Sequence, residues 1–388
     1  MADGLANGPR ASDAATVAFP GQPGSMSETD ETEREPSMEA GENVTPDRIR
    51  AVRAEKSTMR SRDLADSLGV AEAQVLAAQC GAGVTRIAAH PDGLMPRMPG
   101  FGEAMALTRN DSAVIEKTGV YGDYTSGEHA AMVQGPAINL RIFPHHWVHG
   151  FAVEEQKGGR IRRSLQIFDA AGDAVHKIYL GEDGIEAEWA DLLAALRLED
   201  QSDSLGVAPR EPVEPTKSDP AGAGRLREEW DRLTDTKPFP EMLRKLGMNR
   251  LGAYRIAGAP RARALDPAGM SGLLDGLAER ALPFMLFVGN RGCIEVHGGP
   301  AANIKPTGPW LNILDPDFNL HLRGDHVAEL WAVTRPTRRG PAVSVEAFDA
   351  RGALILQALG MRQGEVDHTP GWGDLVATLP GLGTAVTA

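Results

Sequence analysis

A chain of 388 residues with 42% apolar content has room for two packed domains of ordinary size. A formal net charge of −13 excludes the broad phosphate-neutralising surface of a general nucleic-acid binder, although not a local basic pocket. Only two cysteines occur, Cys80 and Cys293, with no CxxC pair, which sets aside a disulfide framework and points to a reducing cytoplasm.

Residues 1–44 are rich in Gly, Pro, Ser, Asp and Glu and lack the basic-then-apolar pattern of a signal peptide. So few large apolar groups cannot offset chain entropy, and this acidic segment is predicted to be disordered. Order is expected from "TPDRIRAVRAEK", where Thr45 caps a helix, Pro46 suits its first turn and Asp47 complements its dipole. "SRDLADSLGVAEAQVLAAQCG" then reads as two short helices joined at Gly69. The outline fits a helix-turn-helix regulator. However, its second helix carries Glu72 and no Lys or Arg, so reading bases and phosphates there is disfavoured.

Residues 199–224, with four prolines and no hydrophobic period, read as a linker between halves 45–198 and 225–388. The halves repeat. Shifted by 180 positions, "INLRIFPHHWVHGFAV" from Ile138 falls on "FNLHLRGDHVAELWAV" from Phe318. "SLQIFDAAGDAVHKIYL" from Ser164 likewise falls on "SVEAFDARGALILQALG" from Ser344. Each unit reads as antiparallel strands, with a hairpin signature at Asn290-Arg291-Gly292 in the second, followed by a helix. That order is α+β. No apolar run approaches 18 residues, so no membrane insertion is expected.

Conventional enzyme motifs are missing: there is no GxSxG, no Walker A and no Cys-His pair in context. "PHHWVHG" gathers His145, His146 and His149, but without HExxH or a third ligand a zinc site is disfavoured. His176, His297, His321 and His326 read as hydrogen-bonded structural histidines, and Cys293 as a small buried hydrophobe.

Several of these stretches carry a resemblance. "LTRNDSAVIEKTGVYG", "NLRIF", "FVGNRGCIEV", "WLNILDPDFNLHL", "EWDRLTDT" and "ELWAVTRPT", in that family's order within each half, resemble the bacterial haemin-degrading and haemin-transport proteins of the HemS/ChuS type. The resemblance covers about residues 50–380. It implies two tandem repeats, each a large antiparallel β-sheet with flanking helices, and haem bound between them as ligand or substrate. A cytoplasmic carrier that accepts imported haem is the implied role, with haem breakdown by an oxygenase-like activity as the alternative. A haem-import ABC transporter and a haem oxygenase or reductase are the implied partners, with no nucleic acid.

By the same resemblance, Arg141 and Phe143 match a distal arginine and its aromatic neighbour. Arg250 matches a propionate-side arginine, Arg335 stands where relatives carry lysine, and Gln357 and Arg362 match polar pocket positions. Two departures stand out. Leu359 replaces a tyrosine, and Lys237 occupies the position of the histidine that ligates iron, followed by Pro238. An amine must lose its proton before it can bind iron. His145 and His149 are therefore the alternative candidates for the iron.

Overall fold

The computed structural model describes residues 44–181, 184–363 and 366–383. The expected disordered tail thus lies, apart from Val44, outside the described residues. Three helices open the described chain: α1 (Pro46–Glu55), α2 (Ser61–Leu68) and α3 (Glu72–Ala77). Thr45 caps α1 by accepting from the Arg48 amide at 3.3 Å, with Pro46 in the first turn. Gly69 ends α2 at φ 65°, a left-handed cap that a side chain would strain. Leu64, Val75 and Ala78 pack against Ile49 and Val52 to close this helical group. Because Glu72, Ala73, Val75, Leu76 and Ala77 are all buried, α3 keeps no face with which to enter a DNA groove.

The first half continues through β1 (Val84–Ile87), α4 (Pro91–Leu94), β2 (Glu103–Arg109), β3 (Ala113–Val120), β4 (Asp123–Thr125), β5 (Ala131–Gln134) and β6 (Asn139–Ile142). It ends with β7 (His149–Lys157), β8 (Arg160–Phe168), β9 (Ala174–Leu180) and α5 (Glu186–Leu196). Residues 199–219 hold no helix or strand, yet they lie on both halves: Ala208 N–H donates to the Ala170 carbonyl at 2.7 Å and Gln74 to that of Leu205 at 3.0 Å, whereas the Pro215 carbonyl accepts from Asn249 Nδ2 at 2.9 Å. The second half comprises α6 (Ala223–Asp231), α7 (Phe239–Lys245), α8 (Arg250–Ala257), β10 (Ala262–Leu265) and α9 (Gly269–Glu279). Then come β11 (Phe284–Gly289), β12 (Cys293–Gly299), β13 (Trp310–Leu314), β14 (Phe318–Arg323), β15 (Glu329–Arg335), β16 (Ala342–Phe348), β17 (Leu354–Gly360) and α10 (Thr369–Thr378).

The 180-residue shift holds in three dimensions. The short 3₁₀ turns Pro144–His146 and Gly324–His326 correspond, as do the β8–β9 and β16–β17 hairpins. The strands form two antiparallel sheets with flanking helices, one centred on each half. Their orders are β1-β7-β8-β9-β2-β3-β14-β13 and β10-β15-β16-β17-β11-β12-β6-β5-β4. Each half therefore lends strands to the other's sheet: β6 pairs with β12 (Ile142↔Cys293), and β14 pairs with β3 (Phe318↔Lys117). This exchange was not legible in the repeat, since a shift of register along the chain carries no information about which edge a hairpin joins.

The inner faces of the sheets meet. Ile115, Ile313 and Leu320 of the first sheet join Leu286, Val288 and Val345 of the second, with Leu277 and Leu375 of α9 and α10, in one apolar cluster. Each such side chain contributes about 1.5–3 kcal/mol by leaving water. A polar group sits within this interior. Thr108 Oγ1 and Tyr121 OH contact the two ring nitrogens of His176 at 2.9 and 2.8 Å, and a Glu295 carboxyl oxygen lies 3.9 Å from Nδ1. Burial pushes the Glu295 carboxyl up from 4.5 to about 8. Between those values the unfolded chain loses the proton while the folded chain keeps it, so stability falls as pH rises through that window. Thermal melts should show that decline in the unmodified protein, and Glu295→Gln, which is neutral throughout, should be more stable at the upper end and lack this part of the slope.

Candidate functional site

Alternation along a strand sends every second side chain to the same face. On the outer face of the second sheet, pairing register aligns Trp331, Glu346, Gln357, Phe287, Val296 and Asn139 in one row across β15, β16, β17, β11, β12 and β6. Val333, Ser344, Leu359, Met285 and Gly298 form a second row. Ile294, Arg141 and Met132 form a third.

Helices α6, α7 and α8 cover only the β15–β16 end of this face, where Trp230, Phe239 and Tyr254 pack on Trp331, Val333 and Phe348. Under them Arg335, only 3% exposed, donates to Glu346 at 2.5 Å, to Tyr254 OH at 2.7 Å and to Ser344 Oγ at 3.2 Å. Its guanidinium lies 4.5 Å from the centre of the Phe239 ring. Glu346, fully buried, also accepts from Arg250 at 3.1 Å, Tyr254 at 2.8 Å, Ser344 at 2.9 Å and Gln357 at 2.9 Å. Burial alone would raise this carboxyl; Arg335 and then Arg250 outweigh it and hold the group at about 2. Three of the residues expected to line a ligand pocket, Arg250, Arg335 and Gln357, thus converge on one carboxylate.

Their roles separate by exposure. Arg335 is consumed inside the network, a strut rather than a cation facing outward. Arg250 is 33% exposed and reaches the margin of the helical cover. Beyond that margin the face is open: Met285, Phe287, Ile294, Val296 and Leu359 are half-buried, and Met132 is 41% exposed. At its far side stands Arg141, exposed on β6, its guanidinium 5.6 Å from the half-buried Phe143 ring. The arrangement is an apolar shelf with a guanidinium at either margin. Two surface depressions, near Gln74 and Arg210 and near Arg225 and Glu241, include none of these side chains.

The remaining sequence candidates are distributed as follows. Lys237 is exposed in the turn before α7, its backbone N–H on Asp235 Oδ1 at 3.0 Å, two positions from the Phe239 that underlies Arg335. Arg362, exposed, donates to Asp367 and to the Arg339 carbonyl, both at 3.0 Å. His145 is exposed, its ring centre 3.8 Å from that of His146 and tilted 42° to it; His146 sits beside the Gly292 turn, and neither is in the rows of the shelf. His149 lies in the other sheet, opposite Phe168. The structure therefore does not bring either histidine to Arg141. The rows named above contain no imidazole, so the shelf offers an apolar floor with guanidinium groups at its margins.

Sequence reading missed Glu346, Tyr254 and Ser344. The alternation of "SVEAF" marks Ser344 and Glu346 as outward-facing; only the docking of α8 buries them.

A first-half counterpart inverts the charges: Glu72 on α3 accepts from Lys177 of β9 and Arg109 of β2, each at 2.5 Å. Here the helix brings the carboxylate and the sheet the cations. Against burial, Lys177 and Arg109 hold Glu72 at about 2. Both carboxylates thus contribute stability that is complete above their ordinary value of 4.5 and lost as pH falls toward 2. Acid titration of folding should show its main loss in that interval.

The family described as "Haemin-degrading HemS.ChuX domain" matches residues 69–196 and 247–379, once in each half. The chain is 32% identical over 331 residues to the hemin transport protein HmuS of Yersinia pestis, covering 84% of this chain and 94% of that one. Among solved structures, the holo form of PhuS, a heme-binding protein from Pseudomonas aeruginosa, superposes with a TM-score of 0.82 at 37% identity, over 87% of this chain and all of that one. ChuS, an Escherichia coli heme oxygenase, superposes with a TM-score of 0.75 at 27% identity, over 84% of this chain and 98% of that one.

Proposed function

The chain belongs to the haemin-degrading HemS/ChuX family, and from that premise we propose that it binds haem and carries it from import to the next acceptor. Haem is a flat apolar ring with two propionates at one edge. The open shelf of Met285, Phe287, Ile294, Val296 and Leu359 supports this reading most directly, because it is an apolar surface of matching character left uncovered between Arg250 and Arg141. The shelf side chains exclude water from one face of the ring. Arginine pairs with carboxylates through two parallel hydrogen bonds, which suits Arg250, Arg141 and Arg362 to the propionates. Arg335 contributes indirectly, by fixing Glu346, which in turn holds the Arg250 guanidinium at the shelf margin.

Lys237 favours the carrier over the degrading enzyme. Without imidazole at that position the iron is held less tightly from the helix side, and a carrier benefits from release. We place the protein in the cytoplasm, receiving haem from an import ABC transporter and delivering it to a haem oxygenase or reductase. Haem-loaded protein given a reductant and catalase should keep its Soret absorbance and surrender haem to an apo-acceptor such as apomyoglobin. Loss of absorbance with release of iron, catalase notwithstanding, would make it a degrading enzyme; the E. coli heme oxygenase among its structural relatives is the observation behind that second reading.

A further inference from the structure

The second row of the shelf runs through Leu359 and Met285 to Gly298, where it ends without a side chain. The gap is filled from elsewhere in the chain. A Cβ placed on Gly298 would meet Met361 Cε at 3.5 Å and Sδ at 3.8 Å, so the Met361 thioether lies against the sheet at that position. Alternation accounts for its direction: Leu359 faces outward, Gly360 packs inward against Trp372, and Met361 faces outward again. The backbone there is held, because the Met361 carbonyl accepts from the His368 N–H at 3.1 Å and Arg362 pairs with Asp367. Met361 is half-buried, at the end of the floor.

Sulfur gathers on this face. Met285 is a floor residue set between Leu359 and Gly298, and Met132 lies beyond Arg141 at the margin. Met361 instead enters from outside the rows, at the position where the floor has no side chain of its own. Filling a gap is the common use of methionine, but leucine fills a gap as well. A thioether adds a lone pair on soft, neutral sulfur that needs no proton removed at any pH. The other donors nearby lack that property. Lys237 must first lose a proton, and Cys293, on the same strand as Gly298, is buried on the inner face with its thiol pushed up by burial.

We propose that Met361 Sδ ligates the iron of haem bound on the shelf, from the side of the sheet. This rests on the haem reading above and deepens it, by naming a protein donor on a face whose rows contain no imidazole. Methionine ligation raises the reduction potential of haem, because soft sulfur favours ferrous over ferric iron. Its weak hold on ferric iron suits a site that must give haem up.

X-ray absorption at the iron edge of the haem-loaded full chain, reduced in the absence of oxygen, tests this together with a redox titration. The expected result is a sulfur neighbour to the iron beside the ring nitrogens. Met361→Leu, which keeps the apolar volume, should lose that sulfur and lower the potential while haemin still binds saturably, which also shows that the variant is folded. Met361→His should replace the sulfur with an imidazole signature, and Met285→Leu should leave the sulfur in place. A sulfur neighbour missing from the loaded parent, retained in Met361→Leu or removed by Met285→Leu overturns the assignment and leaves the carrier reading standing. If the unmodified chain binds no haemin saturably, the carrier reading itself falls.

Discussion

Glu346→Ala is expected to lower the unfolding free energy by about 3–5 kcal/mol, because it strands Arg335 as an uncompensated charge in a nearly dry site. Arg335 is 3% exposed and Glu346 fully buried, so solvent does little to soften the loss. Tyr254, Ser344 and Gln357 lose an acceptor in the same step, and each buried donor left without a partner adds to the penalty. A double replacement, Glu346→Leu with Arg335→Met, should recover much of the loss, since apolar groups of similar volume often substitute for a buried pair at little net cost. Denaturant unfolding of the two variants separates these cases. A single variant within about 0.5 kcal/mol of the unmodified protein would show that the network is not the strut described.

Lys237→His is expected to add an imidazole-ligated haem at the second-half shelf. An amine in water near neutral pH costs about 4–5 kcal/mol to deprotonate before it can donate to a metal, whereas imidazole is largely neutral there. Haemin binding by Lys237→His should tighten about tenfold or more and acquire the imidazole signature. An unchanged spectrum would mean that the turn before α7 does not face bound haem, and the shelf would have to be reassigned.

These two expectations illustrate what the sequence disclosed. The repeat was legible because strand alternation and turn glycines survive divergence: the 180-residue shift maps the β8–β9 hairpin onto β16–β17 and one 3₁₀ turn onto the other. The capped start of α1 and the left-handed Gly69 were legible for local reasons. Non-local facts were not. Nothing in the residues of β6 says that it will pair with β12 rather than extend its own half's sheet. Likewise Arg335 reads as a ligand-facing cation until Glu346, eleven residues later on the neighbouring strand, is seen to claim it. His145 and His149 were attractive by proximity to Arg141 in the chain, but the 3₁₀ turn at Pro144 carries them out of the shelf rows and into the neighbourhood of the other sheet. His321, by contrast, reads as a hydrogen-bonded structural histidine, and its Nδ1 does lie 2.8 Å from Asn312 Oδ1.

The shelf itself is tested most directly by haemin titration of the chain beside Arg141→Ala and Phe287→Glu. The guanidinium of Arg141 and the apolar floor at Phe287 should both be felt: each variant should bind the shelf equivalent about tenfold more weakly or lose it, Phe287→Glu the more severely because it places a charge where the ring would lie. Haemin uptake that is saturable in the parent and undiminished in both variants would contradict the account.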